Sequence, residues 1–314
     1  MVTVAVLCGG VGAARLLTGM VRAVDPSGVT AVVNVGDDLE QHGLHVSPDI
    51  DTVVYTVAGA IDSERGWGLA DETWHVMEGL DRYGAPTWFR LGDRDIATHL
   101  YRTTRLREGA ALSAVTAEIA AAWKLGFTVL PVTDDPLRTV IRLDDPDAGD
   151  PEVAFQEYFV RRQHSVPVRG VRFAGAESAR PAPGVLEAIA AADRVVIAPS
   201  NPLVSIDPVL AVPGVRDAVA ARRDRVVAVS PIVGGRALKG PADRMLVELG
   251  HEASVLGVAR HYAELAGTLV VDRADADLAP EVEAAVPGMR CVVTETVMRD
   301  PAVAADLCST IVGL

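Results

Sequence analysis

A chain of 314 residues with 49% hydrophobic and 23% charged side chains is long enough to close a full apolar core and too apolar for intrinsic disorder. Its 42 acidic against 29 basic residues give a formal charge of -13, which repels a phosphate backbone and disfavours nucleic-acid binding. No apolar run reaches the roughly 20 residues of a membrane span, and Thr3-Val4-Ala5-Val6-Leu7 begins without a basic leader, so a cytoplasmic protein is expected.

Val2–Leu7 reads as a buried strand, Cys8–Gly12 as a glycine-rich loop, and Leu16, Leu17, Met20 and Val21 as one face of a helix. Val29–Val35 repeats the strand pattern and ends in Gly36-Asp37-Asp38, after which Val53, Val54, Val57, Ala58 and Ile61 recur at helical spacing. This βαβα opening predicts a parallel sheet covered by helices. Residues 51–126 read as a largely helical insertion and hold all four tryptophans, Trp67, Trp74, Trp88 and Trp123. Phe127–Pro131 predicts another strand, Thr139–Leu143 an antiparallel one, and Asp144–Asp150 a turn. From residue 184 the alternation resumes: helix 184–192, strand 194–198, helix 212–221, strand 225–229, strands near 269–271 and 291–293, and a helix after Asp300. The expected fold is a single α/β domain over 1–314, Rossmann-like and doubly wound with a mostly parallel sheet. Its core lies in about 1–50, 127–136 and 184–314, with a helical insertion at 51–126 and a small β excursion within 137–183. Cys8, Cys291 and Cys308 read as reduced thiols, because neither a disulfide framework nor a Cys-x-x-Cys metal site can be built from them.

In such sheets ligands lie at the carboxyl ends of the strands, so the loops CGGVGAAR, NVGDD, PVTDDP, APSNP and SPIVGG are the places to look for chemistry. Gly9, Gly10 and Gly12 precede a helix, where bare backbone and the helix N-terminus favour an anion, and Arg15 adds donors in the first turn. A plain tight turn is the alternative. Neither a Gly-Lys-Ser/Thr P-loop nor a full GxGxxG is present, since Arg15 takes the third glycine's place. Asp37, Asp38, Asp49 and Asp51 form an acidic group suited to Mg²⁺ against a pyrophosphate, or else serve as turn and cap residues. Two positions apart on a helix point about 200° apart, so Asp49 and Asp51 are not expected to share one pocket: one caps and the other acts. Arg90 and Arg94, in FRLGDRD, are suited to a phosphate or a planar ring, or else belong to a local salt-bridge network. Ser200, Asn201, Gly234 and Lys239 offer polar groups at further strand ends, while His42 and His45 lack a third metal ligand.

Together LCGGVGAARLL, VNVGDD, SPDIDTVVYTVAG, WGLADETW, FRLGDRDIATHL, LPVTDDP, FQEYFVR, APSNPLVSI and VSPIVGGRALKGPAD resemble the 2-phospho-L-lactate transferase family of coenzyme F-420 biosynthesis, in order, over residues 4 to 243. The resemblance implies a Mg²⁺-dependent homodimer that moves a phospholactyl or phosphoenolpyruvyl group from a guanosine-diphosphate-linked donor. The acceptor is the ribityl hydroxyl of 7,8-didemethyl-8-hydroxy-5-deazariboflavin, and GMP leaves. It carries deazaflavin binding onto Asp51, Arg90 and Asp93, catalysis onto Asp51 and Arg90, and metal binding onto Asp38 and Asp51, with Asp37 a weaker metal candidate. Gly9, Gly10, Gly12, Arg15, Ser200, Asn201 and Gly234 are expected at the nucleotide and its phosphates. Asp207 stands where relatives commonly carry glycine, which puts the donor contacts there in question. Two rivals are a nucleotide-sugar-binding regulator of similar fold, which SPDIDT and GDRD disfavour, and an NAD-dependent oxidoreductase, which the broken GxGxxG disfavours.

Overall fold

Seven short runs, mostly apolar, build the central sheet: β1 (Val4–Cys8), β2 (Val29–Val33), β3 (Thr128–Pro131), β4 (Arg194–Ile197), β5 (Val226–Val229), β6 (Thr268–Asp272) and β7 (Arg290–Thr294). In this computed structural model, which describes residues 1–144 and 152–314, they lie in the order β7-β6-β5-β4-β1-β2-β3, and every neighbouring pair is parallel. All residues of β1, β5 and β6 are buried, as a parallel sheet covered on both faces requires. Strand order reverses at β1: one branch runs through β2 and β3, the other through β4 to β7. The crevice between the loops after β1 and β4 is therefore the switch point at which doubly wound folds bind ligands. The doubly wound, Rossmann-like reading of the sequence is the architecture observed.

Between β2 and β3 the chain forms α2 (Pro48–Val57), α3 (His75–Arg82), α4 (Asp93–Arg107) and α5 (Leu112–Ala122), so the stretch read as helical is so, apart from irregular segments at 58–74 and 83–92. A hairpin pairing Leu39–Gln41 with Leu44–Val46 precedes α2 and was not expected. Its two turn residues, His42 (φ 52°) and Gly43 (φ 74°), are both left-handed, the conformation a two-residue hairpin needs, and the His-Gly pair between apolar-alternating flanks was the signal for it. Arg138–Leu143 pairs antiparallel with both Glu152–Ala154 and Val168–Ala174, which is the small β excursion. Of the turn read at Asp144–Asp150, everything after Asp144 lies outside the described residues. All three cysteines are free, and among the described residues no helix is long and apolar enough to cross a membrane.

Helix α1 (Val11–Ala23) packs closely along the C-terminal helix Pro301–Gly313, and Gly19 is the reason it can. A Cβ there would stand 2.3 Å from the backbone carbon and oxygen of Ala304, neither of which can rotate away. Gly19→Ala is therefore expected to lower the unfolding free energy by about 1–3 kcal/mol, the usual scale of overpacking. Urea denaturation measures it, and an unchanged midpoint would mean that the two helices separate freely.

Candidate active site

At the carboxyl ends of the strands lies a cavity of about 790 Å³, within the range of small-molecule sites. The loops after β1, β2, β4, β5 and β7 contribute to it, and the helical insertion and the segment 155–163 wall it from either side.

Of the first loop, Gly10, Gly12 and Arg15 line the cavity, whereas Gly9 is buried behind it. All three glycines answer to packing: a Cβ at Gly9 would meet Ser205 Cβ at 2.5 Å, at Gly10 Asp49 Oδ1 at 2.6 Å, and at Gly12 the Pro199 carbonyl oxygen at 2.1 Å. Bare backbone thus lets the β1 loop, the β4 loop and α2 converge on one point, and the unbonded first-turn amides of α1 sit at that point with Arg15 exposed beside them. Ser200 and Asn201 also line the wall, but the Asn201 side chain accepts from Leu203 N (3.0 Å), capping the turn that follows. Gly234 is absent from the wall, because its N–H is directed at the Asp275 carboxylate (2.9 and 3.1 Å) across the hairpin at 232–237. Asp207 also stays off the wall and faces His261 Nε2 at 2.9 Å, so its charge is answered away from the cavity.

The acidic group divides differently from expectation. Asp49 and Asp51 both lie within the first turn of α2 and both line the cavity, because the helix end projects into it and each flank carries one carboxylate. Neither caps: Ser47 holds the N-cap position and no side chain bonds there. On one flank Asp49 accepts from Asn34 Nδ2 (2.9 Å) and neighbours Asp37 and Asp38. Burial, with the Asp38 charge adding to it, pushes the Asp49 carboxyl up to about 7 even though Asn34 opposes the rise. Burial and the Asp49 charge likewise push Asp37 well above the usual carboxylate range, and its Oδ1 has no hydrogen-bond partner among the described residues. Asp38, an expected metal ligand, does not reach the wall, since its Oδ2 accepts from Ser47 Oγ (2.8 Å) and faces His45 Nε2 (2.9 Å).

On the other flank Asp51 meets Arg102, a residue that sequence reading passed over and that is completely buried. Both terminal nitrogens of its guanidinium donate to the Asp51 carboxylate, Nη1 to Oδ2 at 3.1 Å and Nη2 to Oδ1. Burial would lower the Arg102 pKa, but the Asp51 charge and hydrogen bonds hold it above the ordinary value. His99 stands between Asp51 (3.7 Å) and Asp95 (3.3 Å), and Tyr55 donates to Asp95 (2.8 Å). His99 and Arg102 lie three apart on α4 and so share a face, which was the available signal, although nothing local indicated that the face is buried.

Arg90 lines the cavity and lies over the Trp74 ring at 4.2 Å, with Arg65, Trp67, Trp88 and Phe89 on the same side. Asp93 is off the wall. Its carboxylate accepts from Thr73 Oγ1 (2.5 Å), His75 N and Val76 N (3.0 Å each), which ties it to the segment 73–76 rather than to the cavity, while Asp95 lines the wall. The wall also carries Phe155 and Phe159, stacked at 5.5 Å, and Lys239, whose Nζ lies 3.2 Å from where a Cβ on Gly66 would stand. Among the described residues no three His, Cys, Asp or Glu side chains converge as a ready-made metal site.

Residues 4–294 match the family model of 2-phospho-L-lactate transferase CofD. The chain is 45% identical over 311 residues to a phosphoenolpyruvate transferase of Kitasatospora aureofaciens, covering 98% of this chain and 96% of that one. It is 46% identical over 299 residues to the phosphoenolpyruvate transferase of Streptomyces griseus subsp. griseus, covering 95% and 93%. A crystal structure of a UPF0052-family protein from Bacillus halodurans superposes with a TM-score of 0.64 at 16% identity over 99% of each chain, a likeness of fold.

The raised Asp49 carboxyl has a consequence for stability. From about pH 4 to about pH 7 the unfolded chain gives up this proton while the folded protein keeps it, so stability falls as pH rises through that window. Asp49→Asn has no such proton to lose. In metal-free buffer its melting temperature is expected to gain on the wild type by several degrees between pH 4 and pH 7.5, roughly the effect of 1–2 kcal/mol. Parallel pH profiles would show that Asp49 is ionised throughout.

Proposed function

The chain belongs to the 2-phospho-L-lactate transferase family, and we propose that it joins a guanosine-diphosphate-linked three-carbon acid to 7,8-didemethyl-8-hydroxy-5-deazariboflavin. The ribityl hydroxyl oxygen forms a bond to the phosphorus bearing the acid and gives up its proton to solvent, the bond from that phosphorus to the bridging oxygen breaks, and GMP leaves with that oxygen and the bonding electron pair. The enolpyruvyl donor is favoured over the lactyl one because relatives at 45% and 46% identity are phosphoenolpyruvate transferases. The protein is read as a homodimer, as the family resemblance implies, and as cytoplasmic from its sequence.

The observation that carries this reading is one continuous cavity with chemically distinct ends. A glycine-bounded helix N-terminus with Arg15 is suited to a diphosphate, and a wall of tryptophans with Arg65 and Arg90 is suited to a large planar ring. Between them stand the carboxylates of α2. Attack of a neutral hydroxyl on a charged diphosphate is opposed by charge repulsion, so alignment and neutralisation are what the site must supply. Arg15 would neutralise the diphosphate, and Asp51, held by Arg102, would orient the ribityl hydroxyl.

The residues present fit a divalent cation at Asp37 and Asp49 better than at Asp38 and Asp51. Asp37 and Asp49 both line the cavity, and burial raises both carboxyls with a neighbouring carboxylate adding to the rise; Asp38, like Asp37, keeps an unpartnered buried oxygen among the described residues but stays off the wall, and Asp51 is already neutralised by Arg102. Mg²⁺ needs few protein oxygens when phosphates supply the rest, and when bound it would offset the diphosphate charge.

Incubation of the protein with Mg²⁺, the deazaflavin and each donor is expected to release GMP and yield a phosphodiester of the unaltered chromophore, read by mass spectrometry. No product with either donor would overturn the assignment. Asp51→Asn is expected to lower turnover by about 10² or more while leaving nucleotide binding intact. Unchanged turnover in a folded Asp51→Asn protein would remove Asp51 from the catalytic group.

A further inference from the structure

We propose that Trp74 is a positioning residue, whose indole ring holds the guanidinium groups of Arg65 and Arg90 as a cationic face for a planar aromatic acceptor. The inference rests on the acceptor reading above and adds to it a residue that does not touch the cavity.

The Arg90 guanidinium carbon lies 4.2 Å and that of Arg65 5.3 Å from the Trp74 ring centroid, and Trp67 meets Trp74 edge-on at 6.0 Å. Arg65, Arg90 and Trp67 line the cavity, whereas Trp74 does not. Among the described residues Arg90 has no carboxylate or carbonyl partner, and the ring is its anchor. That distinction matters chemically. An arginine held by a carboxylate has its charge answered and its donors occupied, while one held by a π-face keeps both available for a ligand and presents a flat surface on which another ring can stack. Arg65 combines both modes: it donates to the Leu69 carbonyl (2.8 Å) and pairs with Asp62 (2.8 Å) while remaining over the ring.

Trp74 is itself rigidly mounted. Thr73 and the amides of His75 and Val76 donate to Asp93, the Asp93 amide donates back to the Thr73 carbonyl (3.0 Å), and the amides of Arg94 and Asp95 donate to Glu72 (2.7 and 2.9 Å). Residues 72–76 are thus stapled on both sides of the tryptophan to the first turn of α4, and the ring packs on the small apolar cluster of Val46, Met77, Leu91 and Ile96. This mounting accounts for two of the charges of FRLGDRD: Asp93, with Glu72 from outside the motif, fixes the segment that carries the ring, and the ring holds Arg90, while Arg94 donates to the Ala70 carbonyl.

The test compares Trp74→Leu with Trp74→Phe, titrating each with the deazaflavin by the ligand's own fluorescence and varying each substrate in turn in the transfer assay. Trp74→Leu is expected to weaken deazaflavin binding and raise the acceptor KM about tenfold, with the donor KM and kcat within about twofold, and Trp74→Phe is expected to recover most of the loss. In an Arg65→Ala/Arg90→Ala background, Trp74→Leu should cost nothing further. Equal losses for leucine and phenylalanine, or an undiminished loss in the arginine-free background, would overturn the role assigned to Trp74. Failure of the wild-type protein to bind the deazaflavin would instead overturn the acceptor reading, and this inference with it.

Discussion

A guanidinium with no exposure to water needs acceptors, and Arg102 pairs both of its terminal nitrogens by drawing Asp51 on α2 against α4, leaving Nε without a partner among the described residues. Breaking such a pair from one side leaves an uncompensated buried charge, typically several kcal/mol in cost, so the two helices are tied in register by electrostatics as well as by packing. Much of the insertion follows from that tie. With α4 fixed, its first turn presents Asp93 and the amides of residues 94 and 95 to the segment 72–76, and through that segment the tryptophan and arginine wall is placed on the cavity that the glycine loop after β1 also lines.

The second constraint is close approach at the sheet's switch point. Three glycines in one loop resemble a ligand signature, yet each is required by a neighbour within 2.6 Å of where a Cβ would be. Packing and ligand binding are compatible here, because the absence of side chains that lets Pro199 and Ser205 approach also leaves the first amides of α1 uncovered. The glycine pattern by itself therefore cannot distinguish a packed turn from an anion site; the direction in which the amides face can.

Two carboxylates on one helix end behave differently because their surroundings differ. Asp51 is neutralised by Arg102, whereas Asp49 is buried beside Asp37 and Asp38 with the Asn34 amide opposing the effect of their charge, so its carboxyl rises to about 7. Residues two apart on a helix point about 200° apart, yet here both line one cavity. A helix lying flat against a cavity keeps two such side chains apart, whereas one that enters the cavity end-on lines it with both flanks.

Local sequence determined what local physics governs. The fully buried strands β1 and β5 show as unbroken apolar runs and β6 as Leu269–Val271 between Thr268 and Asp272, the helical insertion shows as 3.6-residue periodicity, and the order of elements dictates a doubly wound sheet. The loops at the strand ends were legible for the same reason, since strand direction alone decides which ends face the crevice. Tertiary structure decided everything that depends on distance across the chain. Arg102 lies 51 positions from Asp51 and Asp93 lies 20 from Thr73, so no local pattern distinguishes a buried, ring-fixing or charge-neutralising residue from a solvated one. Burial and pairing are properties of the assembled fold, because desolvation and Coulomb attraction act through space, and only the packed chain says which polar groups have lost their water.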